Sequence, residues 1–304
     1  MNIIGRMKIW FLISGITICA GIAAISIYKP QYGIDFTGGS LLELAVPATL
    51  TKEVAHEVAT DSKIEVGTIT TSDNNVFLIR TKPITESDKN VFLTALKSKV
   101  GESAEAIEER RFETIGPTVS ADLVKKALIS VILASFAIIA YIAFVFRKLP
   151  DHSQSWRFGI TAVVALMHDL LVTIGIFTLV GHFLGWEIDS LFITALLTVM
   201  GFSVHDTIVV FDRIRENVRR FPDHSFSNVS NESVVQTLGR SLNTSMTILI
   251  TLATLLFLGG STLQPFVFTL IMGILVGTYS SIFTATPLLV VWQNNVDKKR
   301  SHKV

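Results

Sequence analysis

Along most of this chain apolar residues do not alternate with polar ones. They gather in six runs, near 9–28, 127–146, 158–184, 190–211, 242–260 and 266–292. Each approaches or exceeds the ~20 residues an α-helix needs to cross a hydrocarbon core of about 30 Å. Six transmembrane helices are therefore predicted. One long stretch, 29–124, breaks the pattern. In it SLLELAV (40–46), KIEVGTIT (63–70), NVFLIRT (75–81) and EAIEERRFETI (105–115) read as strands. TKEVAHEVAT (51–60) and TESDKNVFLTALKSK (85–99) read as helices, each opened by a threonine cap, and SDNN (72–75) reads as a turn. The order β-α-β-β-α-β is the split βαβ, or ferredoxin-like, arrangement. The fold class expected is a polytopic α-helical membrane protein with six transmembrane helices and one α+β ferredoxin-like domain.

Composition agrees with a membrane protein. Of the 304 residues 49% are hydrophobic and 17% charged, against about 25% charged in soluble domains. The net charge of +1 gives no case for a nucleic-acid partner. The single cysteine, Cys19, allows no intrachain disulfide. Arg6 and Lys8 precede the first run, as in a signal peptide, but the run is longer than a signal core and Ile18 stands before Cys19. A retained span is expected.

Basic residues set the orientation. Arg147, Lys148 and Arg157 follow the second run, Arg213, Arg215, Arg219 and Arg220 the fourth, and Lys298, Lys299, Arg300 and Lys303 the last. GHFLGWEID (181–189) and GGSTLQP (259–265) contain neither Lys nor Arg. The positive-inside rule then puts both termini in the cytoplasm. The expected division is 1–28, N-terminus and first span; 29–124, extracytoplasmic α+β domain; 125–292, spans 2–6 with a cytoplasmic loop at 212–240; and 293–304, a basic cytoplasmic tail. The α+β domain has no Cys or His cluster, nucleophile motif or phosphate loop, so it reads as a binding or handling module, with no enzyme activity and no cofactor. Asp35, Gly38 and Gly39 of DFTGGS (35–40) suit a tight turn between the first span and the first strand.

Ionisable residues inside spans are costly and usually face a bundle interior or a water path. Three places qualify: His168 and Asp169 of ALMHDLLVTIG (165–175), His205 and Asp206 of GFSVHDTIVVFDRIREN (201–217), and Arg240 of TLGRSLNTSMTILITLAT (237–254). Arg240, Thr244, Thr247, Thr251 and Thr254 share one helical face. Two readings follow. The threonines bond back to their own helix, or the stripe is a wet seam against the fourth span, with Asp206 as the anion that partners Arg240. Arg213, two turns further along the same face, is a second candidate partner for Asp206. Such a pair either fixes packing as a static ion pair or answers to protons, because burial and a nearby guanidinium oppose one another at a carboxyl. Adjacent His-Asp residues point about 100° apart and no third ligand is evident, which argues against a metal. Gly273, Gly277, Ser281 and Ala285 recur every four residues, a small-xxx-small face for close helix contact, and Pro265 suits the first turn of that helix.

YGIDFTGGSLLEL, ALMHD, GFSVHDTIVVFDRIREN and TLGRSLNTSMT together resemble the SecF family of bacterial protein-translocase subunits, within the resistance-nodulation-division superfamily. The resemblance covers nearly the whole chain. It implies an inner-membrane subunit that pairs with SecD, associates with the SecYEG channel and less directly with YajC and SecA, and uses the proton-motive force to promote export of preproteins. It further implies proton transfer through Asp206 and Arg240, with Asp169 as a weaker relay or structural group beside His168. His205 stands where some relatives have Asn. A half-size small-molecule exporter of the same superfamily and a non-conducting scaffold are the rival readings.

Overall fold

The computed structural model of the chain describes residues 1–72, 75–101, 107–146 and 152–301. Helix α1 (Met7–Tyr28) leads through a one-turn helix, α2 (Ile34–Thr37), into the α+β region. That region runs β1 (Gly39–Ala45), α3 (Lys52–Asp61), β2 (Val66–Ser72), β3 (Val76–Thr81), α4 (Glu86–Val100) and β4 (Glu108–Ile115). Four long helices follow, α5 (Pro117–Phe146), α6 (His152–Leu184), α7 (Ser190–Arg220) and α8 (Phe226–Leu258). The last span comprises α9 (Gln264–Ser280), a π-helical stretch Ser281–Ala285, and α10 (Thr286–Ser301). The chain forms two compact units, Pro30–Ile129 with Gly181–Ser190, and Met1–Lys29 with Ser130–Val180 and Leu191–Val304.

In the α+β unit the sheet order is β2-β3-β1-β4, with every neighbouring pair antiparallel. This is the sheet order the βαββαβ element sequence calls for when the two βαβ halves interleave. Alternation along β1 and β3 turns Leu42, Leu44, Phe77 and Ile79 onto α3 and α4, which contribute Ala55, Val58, Ala59, Phe92 and Leu96. Thr51 caps α3 by accepting from the Val54 N–H, and Thr85 and Asp88 form a reciprocal capping box on α4. Lys89 is buried yet satisfied. Its Nζ lies 2.6 Å from Glu86, 2.9 Å from Glu109 and 4.7 Å from the centre of the Phe112 ring. The two carboxylates, Glu86 foremost, hold its ammonium above the usual 10.5 against the cost of burial.

The six apolar helices are long enough to cross a membrane, at Ile4–Tyr28, Pro117–Val145, Trp156–Leu184, Ser190–Arg220, Phe226–Leu258 and Gln264–Val296. Glycines set the closest approaches in the helical unit. A Cβ on Gly175 of α6 would fall 2.3 Å from Gly21 Cα of α1. One on Gly273 of α9 would fall 2.2 Å from Val199 Cγ2 of α7, and one on Gly277 3.0 Å from Ser203 Cβ. The small-residue face of α9 is thus a helix-contact face, and Ser281 and Ala285, in the π stretch that follows it, are fully buried. Beyond the π stretch, Gln293 of α10 is buried against Arg157 of α6, whose guanidinium donates to it.

Two sequence expectations need correcting. Residues 212–240 are not a loop: α7 continues to Arg220 and α8 starts at Phe226, so only 221–225 leave the helix. The polar residues of this stretch bond along and between the helices, as Asn217 does with Ser233 and Gln236, which extends both beyond their apolar lengths. The fourth strand begins at Glu108, and residues 105–106 of its expected span lie outside the described residues. So do 73–74 of the SDNN turn, Arg147, Lys148 and Lys303.

Candidate functional site

Among the described residues two buried carboxylates lie in the helical unit, on α6 and α7. Asp169 is wholly buried and accepts from three side chains. His168 Nδ1 is 2.9 Å from its Oδ1, Ser280 Oγ of α9 is 2.7 Å from its Oδ2, and Ser203 Oγ of α7 donates to the same Oδ2. Gly277 makes this meeting possible, because its missing side chain lets Ser203 approach α9. His168 is also buried, and its Nε2 has no hydrogen-bond partner among the described residues. The ring stacks near Tyr279, with centroids 6.4 Å apart. The Tyr279 hydroxyl donates to the Trp10 carbonyl and lies 3.3 Å from Ser14 Oγ, which in turn is 2.8 Å from Thr284 Oγ1.

Asp206 is one turn beyond Ser203 on α7 and is only 2% exposed. Its hydrogen-bond partner is Thr278 of α9, whose Oγ1 lies 3.4 Å from Oδ2, and Ser245 of α8 is 2.6 Å from that same hydroxyl. Both acids therefore sit in hydroxyl-lined surroundings built by α7 and α9, with α6 closing one and α8 the other. No ion pair joins Asp206 to a cation among the described residues.

The expected pairing with Arg240 is thereby corrected. Arg240 lies on the exposed face of α8, and Thr247, Thr251 and Thr254 are exposed with it, while Thr244 is half-buried. Each threonine hydroxyl donates to the carbonyl four residues back, Thr244 to Arg240, Thr247 to Asn243, Thr251 to Thr247 and Thr254 to Ile250. The back-bonded reading holds. The face of α8 that enters the unit carries Ser230, Ser233, Thr237, Ser241 and Ser245, all buried. Sequence reasoning passed over this serine stripe because its residues are small and uncharged. Small size is what fits them to close helix contact. Arg213 does not reach Asp206 either. It bonds Glu216 and Gln236, each at 2.6 Å. His205 is exposed, on a different face of α7 from Asp206.

The DFTGGS segment does more than turn. Gly38 and Gly39 take φ of +72° and +127°, and a Cβ on Gly39 would fall 2.6 Å from the Thr81 carbonyl oxygen, so a side chain there is excluded twice over. Asp35 reaches Ser190, the first residue of α7, and accepts from its backbone N–H at 2.8 Å and from its hydroxyl. Beside it Gly33 N–H donates to Ile188 O at 2.8 Å and Ile188 N–H to Gln31 O at 2.7 Å. Arg80 Nε of β3 is 2.6 Å from Glu187 Oε1. From sequence 187–189 read only as part of a loop free of Lys and Arg and Ser190 as the start of the fourth apolar run, and their partners lie too far away in the chain for any local pattern to reveal.

Comparison with known proteins follows the same residues. A family model described as protein export membrane protein SecD/SecF, C-terminal, matches residues 95–295, and one described as the SecD/SecF GG motif matches 23–46. The chain is 38% identical over 297 residues to a protein translocase subunit SecF of Anaerolinea thermophila, covering 97% of this chain and 94% of that one. It is 52% identical over 199 residues to a protein translocase subunit SecF of Thermobaculum terrenum, covering 66% and 61%. Among solved structures it is similar to SecDF, a translocon-associated membrane protein from Thermus thermophilus, with a TM-score of 0.82 and 30% identity. That match covers 97% of this chain and spans 39% of the length of the Thermus protein.

Proposed function

The chain belongs to the SecF family of protein-translocase subunits, and on that premise we propose that it works with a SecD partner to draw preproteins outward through the SecYEG channel, driven by the proton-motive force. Contact with YajC and with SecA would be made through the same assembly. In this reading the protein lies in the bacterial inner membrane with both termini cytoplasmic, residues 29–124 outside and 293–304 inside. The basic residues of 212–220 and of the tail support that orientation.

The observation that carries the proposal is the state of Asp206, a carboxyl 2% exposed whose hydrogen-bonding neighbours are hydroxyls. With no ion pair to a cation among the described residues, gain or loss of one proton changes the net charge of the bundle interior. Each elementary charge moved through the membrane potential is worth about 2.3 kcal/mol per 100 mV, enough to bias two arrangements a few kcal/mol apart. Asp206 is the proton carrier in this scheme. Asp169, with His168, is a relay or structural acid on α6, bonded by Ser203 one turn before Asp206 on α7. Arg240 acts from the exposed face of α8, where an arginine at membrane depth calls for a protein neighbour or water. SecD is the neighbour proposed. Protonation then shifts this subunit against SecD by rigid-body rocking, and the α+β module moves with it.

Asp206→Asn and Arg240→Met should each abolish proton-dependent stimulation of export in proteoliposomes while co-purification with SecD persists. Wild-type proton-driven export in both variants would sink the scheme.

A further inference from the structure

We propose that Asp35 is a positioning residue: by gripping the first turn of α7 it makes the α+β module and the helix that carries Asp206 move as one piece. The inference rests on the proton-driven reading above and assigns a task to the GG-motif segment within it.

Four consecutive residues before and at the start of α7 are held by the α+β module. Glu187 meets Arg80 at 2.6 Å. Ile188 pairs through its backbone with Gln31 and Gly33, in a parallel bridge centred on Tyr32. Asp189 packs against Gly33, where an added Cβ would lie 3.5 Å from Asp189 Cβ and 3.4 Å from Ile188 O. Ser190 gives both its N–H and its hydroxyl to Asp35. The Asp35 contact differs from the others because Ser190 is already helical. The first N–H groups of a helix have no partner within it, and an anionic acceptor there also meets the positive end of the helix dipole. The grip is therefore on α7 itself.

The other end of the grip is equally firm. Asp35 lies in α2, and Gly38 N–H bonds Ile34 O at 2.8 Å to close that turn. Gly39 then enters β1 against the Thr81 carbonyl of β3, so the acid is fastened to the middle of the sheet. Without Asp35, the module would still hold the residues before α7 through the Ile188 bridge, the Asp189 packing and the Arg80–Glu187 pair, but it would lose this grip on the helix itself. From Ser190 to Asp206 is about 24 Å of continuous helix at 1.5 Å per residue. A displacement of the module would then reach Asp206, and the reverse, without passing through a flexible link.

The test uses the full chain, reconstituted with SecD and the channel, in a Cys19→Ser background. Asp35→Ala should lower proton-driven export about tenfold, the scale of one lost charge-assisted hydrogen bond, and speed amide exchange over residues 188–192. Asp35→Asn, which keeps an acceptor for the Ser190 N–H, should lose less. Tyr32→Cys with Ile188→Cys places a disulfide across the existing bridge, within the separation such a bond spans. Oxidised, it should restore export to the Asp35→Ala chain; reduced, it should not. Wild-type export by Asp35→Ala overturns the inference, and so does a formed cross-link that fails to rescue. Loss of export on cross-linking the Asp35 chain also overturns it, because the grip would then have to open. The amide-exchange result separates the two levels. Faster exchange in Asp35→Ala together with unimpaired export by Asp206→Asn leaves the grip standing and removes the proton scheme.

Discussion

Replacing Gly273 with alanine should separate α7 from α9 at a place where the cost can be worked out. The new Cβ would lie 2.2 Å from Val199 Cγ2, 2.6 Å from Cγ1 and 2.9 Å from Cβ. Rotation of the valine side chain moves the first two atoms but leaves the third in place. Carbon atoms rest about 3.5–4.0 Å apart, so the two helices must part by about 0.6–1 Å at this crossing. Overpacking of that size in a dense interior costs about 1–3 kcal/mol. Val199→Ala removes the two nearest atoms, so the double variant should recover at least about 0.5 kcal/mol relative to the sum of the single ones. Unfolding of the four forms in mixed micelles of rising denaturing-detergent content, followed by circular dichroism, gives the cycle. Gly273→Ala with wild-type stability, or strict additivity with Val199→Ala, would refute the close-contact account. The same separation draws Thr278 of α9 from Asp206 of α7, so proton-driven export should fall further than stability alone explains.

Two other outcomes follow from particular contacts. Asp169→Ala strands three side chains that now meet one carboxylate and should cost at least about 2 kcal/mol more than Asp169→Asn, measured by the same unfolding assay. In the α+β module, burial pushes the Glu187 carboxyl above the usual 4.5, with Arg80 opposing and Asp189 adding to the rise. From the ordinary value up to the raised one the folded chain holds this proton and the unfolded chain has lost it, so stability falls as pH rises through that window. Glu187→Gln should flatten that slope in thermal unfolding between pH 4 and 7, and an unchanged slope would contradict the assignment.

The α+β module was readable because its signals are local. Alternation in NVFLIRT, the caps at Thr51 and Thr85, and apolar runs of spanning length each need only a dozen residues of context. The facing of α8 was not readable in this way. Two polar stripes share that helix, and the one headed by Arg240 drew attention through its charge, whereas the serine stripe is the buried one. Charge signals where a group will need a partner, but which face packs is decided by size and by the neighbouring helices. Asp169 and His168 were picked out as a pair, but their partners on α7 and α9 depend on Gly277 allowing close approach. The tie between Asp35 and Ser190 joins positions 155 apart in the chain, and only the folded form brings them together.

The π stretch at Ser281–Ala285 gives the last span two independent angular settings. A π turn accommodates one residue more than an α turn, so positions after it are rotated by about 100° from where an uninterrupted helix would carry them. Thr278 and Ser280, before it, face the two acids, while Gln293, after it, faces Arg157. Deleting one residue within 281–285 would remove the extra residue the π turn holds and leave both sets facing as they do now. The helix thus contains its own phase correction. A one-residue deletion, normally ruinous in a packed span, should be absorbed here without turning either Gln293 or the residues that face the carboxylates.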